Sequence, residues 1–123
     1  RGNTIRLGNR DVELILTTRA TKEIASRYGG LENLGEKLIQ SENMELALDE
    51  MVWLITLLAN QGIKTKNLLD GANDPELTTD EVELLTSPAE LATYKDAIVI
   101  AMTKGTRRDI QSEESPTKNT KAE

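Results

Sequence analysis

The residue types that most often do chemistry in proteins are scarce in this chain. Its 123 residues include no histidine and no cysteine. Imidazole bases, thiolate nucleophiles, disulfide bonds and the usual zinc ligands are therefore absent. The carboxylates, of which the chain has 21, are the next residues to consider for acid–base or metal chemistry.

The carboxylates do not have the spacing that such sites require. The stretch DGANDPE, Asp70 to Glu76, resembles a calcium loop but lacks the alternating ligands and the final bidentate glutamate, so we expect a plain turn. Glu113 and Glu114 are adjacent carboxylates of the kind that can do acid–base chemistry, but they lie in a polar tail. The stretch RYGGLENLG has neither the lysine nor the spacing of a phosphate-binding loop. We predict a protein that is not an enzyme, with no metal, no cofactor and no small-molecule substrate.

Charge is distributed unevenly along the sequence. Residues 1–30 carry six basic and three acidic side chains, whereas residues 31–105 carry five basic and fourteen acidic ones. Most of the surface should repel a polyanion, which disfavours nucleic acid as a partner.

No apolar run approaches the ~20 residues that cross a bilayer, and the start RGNTIRLG is unlike a signal peptide. We expect a soluble protein of a reducing compartment.

The first third of the chain predicts a hairpin followed by short helices. Two alternating runs, 3–8 and 11–17, flank a turn at Gly8, and the Val12, Leu14 and Leu16 face or the Ile15 face must pack on other elements. A helix from Thr18 should bury Ala20, Ile24 and Tyr28 and stop at Gly29 or Gly30. A second short helix is predicted over 31–40.

A long central helix is predicted from about Asn43 to Asn60, closed by Gly62. Its main apolar stripe contains Met44, Ala47, Leu48, Met51, Leu54, Ile55, Leu58 and Ala59. Leu46, Trp53 and Leu57 project from the opposite side, so the helix should contact apolar groups on both faces.

Trp53 is the only tryptophan in the chain, and two interpretations of it stay open. Tryptophan is mostly buried on average, which favours a second core face of the helix. Binding surfaces also favour tryptophan as an anchor. Leu46, Trp53 and Leu57 are therefore the candidate partner-binding residues.

The last part of the chain predicts two capped helices and a tail. Residues 63–76 read as turn-rich, with at most one helical turn at Lys66 to Leu69. Capping boxes at Thr78 and Ser87 start the two helices, and Gly105 should stop the second. The polar residues 106–123 should be disordered. The predicted fold class is mainly α (α+β): a domain of about five helices with an N-terminal β-hairpin over 1–105, and a tail over 106–123.

The order of these elements resembles a known family. The segments VELILTTRATKEIASRYGGLENLGEKL and ALDEMVWLITLLANQG, the second from Ala47 to Gly62, resemble the tail assembly chaperones of long-tailed phages and prophages. Strand, helix, glycine break, short helix and long apolar helix follow in that family's order, over roughly residues 5–105.

The resemblance implies a non-enzymatic role in virion assembly. A chaperone of this family binds the tape-measure protein, keeps it soluble, recruits tail-tube subunits and leaves before the tail is complete. It would act in the cytoplasm of the bacterial host and be absent from the mature virion. In the family a programmed ribosomal frameshift near the end of the gene often makes a longer form. The opposite charges of residues 1–30 and 31–105 further predict a homo-oligomer.

Proteins of other classes remain as alternatives. A small helical head–tail connector, or another virion structural protein, would stay in the finished particle. An acidic mimic of DNA would compete with DNA for a basic partner.

Overall fold

The computed structural model describes residues 2–30 and 44–114, with side chains through Thr106. Its elements in chain order are β1 (Thr4–Leu7), β2 (Arg10–Glu13), α1 (Thr18–Tyr28), α2 (Met44–Asp70), α3 (Thr79–Leu85) and α4 (Pro88–Glu114). The fold is thus mainly helical with an N-terminal hairpin. The described residues form four helices where five were expected, and the predicted helix over 31–40 lies outside them.

The predicted hairpin is confirmed. β1 and β2 pair antiparallel, with Ile5 opposite Val12. Gly8 turns the corner at a φ of 62°, in the left-handed region that favours glycine. The second strand is shorter than predicted because the backbone of Ile15 leaves the hairpin and donates a hydrogen bond to the carbonyl of Leu58 in α2, at 3.2 Å. The hairpin therefore packs on helices, as a lone two-stranded sheet requires.

Helix α1 begins at Thr18 and stops at Gly29, as predicted. The side chain of Thr17 accepts a hydrogen bond from the amide of Ala20, and Gly29 takes the left-handed conformation at the other end. The amide of Gly29 donates to the carbonyl of Ala25. One face of α1, including Ile24, is buried in the core as predicted.

The prediction that Gly62 ends the central helix is wrong. α2 continues to Asp70 and includes the residues expected to be a turn-rich loop. A Cβ built on Gly62 would lie 2.2 Å from the carbonyl oxygen of Glu13, so glycine is required here because the helix and β2 come into close contact. The residue that ends α2 is Gly71, with a φ of 70° and a hydrogen bond from its amide to the carbonyl of Asn67.

The prediction that Gly105 ends the last helix is wrong for the same reason. α4 runs to Glu114, and a Cβ on Gly105 would lie 2.8 Å from the Cβ of Leu16. Of the predicted tail over 106–123, residues 106–114 belong to α4, and residues 115–123 lie outside the described part of the chain. Both predicted capping boxes are present, at Thr78 with Glu81 and at Ser87 with Glu90.

A strap, residues 72–77, returns along α2 and is held by two asparagines. The amide group of Asn60 both donates to and accepts from the backbone of Leu77, at 2.8 and 2.7 Å. Asn67 makes the same pair of bonds with Asp74, both at 3.0 Å. Seven helical residues and three extended residues each span about 10 Å, so the two asparagines match the strap in register.

Helix α2 is the centre of the domain. It contacts α1, α3, α4 and β2, and its buried residues include Leu54, Ile55 and Leu58 as predicted. Met44, placed in the same stripe, is 73% exposed because it lies at the end of the helix. α2 is long and apolar enough to span a membrane by length and composition, and 56% of its most apolar window is buried inside this fold.

Candidate partner-binding site

Leu46, Trp53 and Leu57 follow one another at seven- and four-residue spacing along one side of α2, here called the outer face. Leu46 is 54% exposed. Trp53 and Leu57 are partly buried and pack against the edge of the core. Trp53 is thus neither a fully buried core residue nor a freely exposed side chain.

The indole of Trp53 is covered on one side by α1. The guanidinium carbon of Arg27 lies 4.4 Å from the centre of the Trp53 rings, within the range of a cation–π contact. Tyr28 meets the indole edge to face, with 6.0 Å between ring centres and 76° between ring planes. These two contacts fix the orientation of the indole.

Glu50, one turn before Trp53 on α2, holds Arg27 in place. Its two carboxylate oxygens accept hydrogen bonds from Nε and Nη2 of Arg27 at 3.2 and 3.1 Å, and it also accepts one from the hydroxyl of Tyr28. A bidentate pair of this kind is stronger and more directional than a single surface contact. The hydrogen bonds that Arg27 donates to Glu50 raise the pKa of Arg27 above its ordinary value. Burial, together with the nearby Glu50 carboxylate, raises the pKa of Tyr28, which keeps its hydroxyl protonated.

Sequence reasoning found the three outer-face residues but not the cluster around Trp53. Arg27 and Tyr28 belong to another helix, and Tyr28 was expected only in the core. Spacing along one helix cannot show which side chains of a second helix lie over it. The one available signal was a basic residue beside an aromatic residue at the end of α1.

Two carboxylates of the strap form ion pairs with lysines of α2. Asp74 and Glu76 of the strap pair with Lys66 and Lys64 at 3.8 and 3.7 Å. Within residues 2–30 and 44–106, no group of three or more acidic, histidine or cysteine side chains is placed to hold a metal ion.

Comparison with known proteins does not place the chain in a family. No family model matches it, and no curated protein or solved structure is significantly similar to it.

Proposed function

We propose that this chain is a tail assembly chaperone of the long-tailed phage type, which binds the tape-measure protein through the outer face of α2. The single observation that supports this most is the position of Trp53. It lies outside the main core, yet its ring is held by Arg27 and Tyr28. An aromatic anchor that is already ordered loses little conformational entropy on binding.

The partner that fits this surface is an apolar helical segment. Leu46, Trp53 and Leu57 form a stripe spanning about 16 Å along α2, which is about three turns of a partner helix. The resemblance implies a long tape-measure protein, which would offer many segments to a surface of this size. Recruitment of tail-tube subunits, action in the host cytoplasm and absence from the mature virion belong to the same proposal.

Co-expression with the products of the neighbouring genes tests this function. The proposal expects a tagged chain to retain the tape-measure protein in a pull-down and to be missing from purified particles. Retention of the chain in finished particles would instead favour a head–tail connector. Recovery of neither phage protein, in an assay that captures a known tail complex, would contradict both functions.

A further inference from the structure

A second apolar surface lies at the end of the domain where α2 begins and α3 turns into α4. It is a groove of about 440 Å³. Val52 and Leu91, both buried, form its floor, and half-buried Leu48 lines its side. Met44 lies at its mouth and is 73% exposed. The groove is separate from the outer face, because its residues lie on another side of α2.

The described residues on the rim of the groove carry charge of one sign. Glu45 and Asp49 of α2 and Glu83 of α3 border it, and no lysine or arginine within residues 2–30 or 44–106 lines it. Among the described residues, none of these three carboxylates forms an ion pair with a basic side chain. An apolar floor inside an acidic rim complements a ligand with apolar anchors and basic flanks.

The walls of the groove favour a helical ligand over an extended one. Both walls are built from helices and a capped corner, where the amide of Ser87 is already bonded to Glu90. They offer no open strand edge to which an extended peptide could add. Met44, Leu48 and Val52 follow one another at four-residue spacing from the mouth of the groove to its floor, over about 12 Å along α2, which is about two turns of a docked helix.

We propose that this groove binds a basic amphipathic helix of a partner protein, with apolar side chains against Leu48 and Leu91 and lysines or arginines facing Glu45, Asp49 and Glu83. The proposal does not depend on the tape-measure assignment, since it concerns a different surface and a ligand of defined chemistry. The ion pairs between the partner helix and the rim carboxylates would be exposed to solvent, so binding should weaken as salt is added.

The probe is a synthetic peptide of about four helical turns with leucine at i, i+3, i+4 and i+7 and lysine elsewhere. It is titrated into the isotopically labelled full chain and followed by nuclear magnetic resonance. We expect shifts centred on Met44, Leu48 and the Ser87–Leu91 corner. A peptide with glutamate in place of lysine, and one with scrambled leucine positions, should bind at least tenfold more weakly.

Two triple variants with the same net charge distinguish binding at the groove from a general attraction between the basic peptide and an acidic protein. The triple variant Glu45→Gln, Asp49→Asn, Glu83→Gln should weaken binding of the lysine peptide about tenfold at low salt. The control Glu23→Gln, Asp70→Asn, Asp96→Asn changes the net charge by the same amount at exposed sites away from the groove and should bind like the wild type.

Three results would overturn the proposal. Equal weakening by both triple variants would mean that the peptide responds only to net charge. Shifts centred elsewhere would place the ligand on another surface. Methyl contacts from Leu48 or Leu91 to Leu34 or Leu38 in the free protein would assign the groove to residues 31–43 of the same chain.

Discussion

Replacing Gly62 with alanine should destabilise the domain, although alanine is the better helix former. Alanine in place of glycine within a helix contributes about 1 kcal/mol of stability when nothing else changes. Here the new Cβ would lie 2.2 Å from the carbonyl oxygen of Glu13, and contacts under 3.0 Å are essentially never seen for real Cβ atoms. The oxygen belongs to the backbone, so it cannot rotate away as a side chain can.

The strand must therefore move away from α2, and the cost can be estimated from what that movement breaks. The hydrogen bond from Ile15 to Leu58 joins the same two elements and contributes about 1 kcal/mol. Overpacking of a close interface costs about 1–3 kcal/mol. After the gain from helix propensity, we expect Gly62→Ala to lower the free energy of unfolding by about 1–3 kcal/mol. For a domain of this size that lowers the melting temperature by roughly 10 °C.

Chemical and thermal unfolding, followed by circular dichroism, would measure this change. Thr103→Ala is the matched control, because Thr103 is an exposed helical position in α4 where alanine should be neutral or slightly stabilising. Gly105→Ala should fall between the two, since its closest contacts are with the side chain of Leu16. If Gly62→Ala were as stable as Thr103→Ala, the close contact between α2 and β2 would be refuted.

Three further predictions concern the strap, self-association and the gene. Asn60→Ala should lower the free energy of unfolding by about 2 kcal/mol and Asn67→Ala by about half of that, because the hydrogen bonds of Asn60 are part-buried and those of Asn67 are exposed. Equal rates of backbone amide exchange in the strap of the two variants would contradict this. The net charge of +3 on residues 1–30 and −9 on residues 31–105 predicts head-to-tail oligomers that dissociate as salt is added, so light scattering from a strict monomer at high concentration and low salt would refute it. The gene should contain a slippery heptamer such as A AAA AAC within the codons for residues 106–123, with an open −1 reading frame beyond it. The nucleotide sequence tests this. A stop codon soon after the heptamer in the −1 frame, with no other slippery string nearby, would exclude the longer form.

Local signals in the sequence predict the elements of this fold well. The capping box at Thr78 and the left-handed Gly29 each act within a few residues of the chain, and each lies where its pattern indicates. The predicted helix ends at Gly62 and Gly105 are wrong, because the sequence does not distinguish a glycine that ends a helix from one that lets a neighbouring segment pack closely against the helix. Only the identity of the contacting element distinguishes them, and that is a tertiary property.

The candidate site shows the same limit. The stripe of Leu46, Trp53 and Leu57 follows from helical periodicity alone. The bidentate pair between Arg27 and Glu50 joins residues far apart in the chain, so no spacing rule predicts it.

The central claim is that Trp53 anchors the tape-measure protein. The affinity of the Trp53→Ala variant for the tape-measure protein tests this claim most directly. Loss of the Arg27 and Tyr28 contacts, and of the partial packing of the indole against the core, should cost about 2 kcal/mol, which leaves the domain folded. Leu84→Ala is the matched control, since Leu84 is 85% exposed and lies on α3.

Calorimetric titration of the tape-measure protein should show binding at least about thirtyfold weaker for Trp53→Ala and unchanged for Leu84→Ala. Equal affinity of the two variants would contradict the claim. A loss of about 3–5 kcal/mol in the stability of Trp53→Ala would also contradict it, because that cost marks a core residue and not a binding anchor.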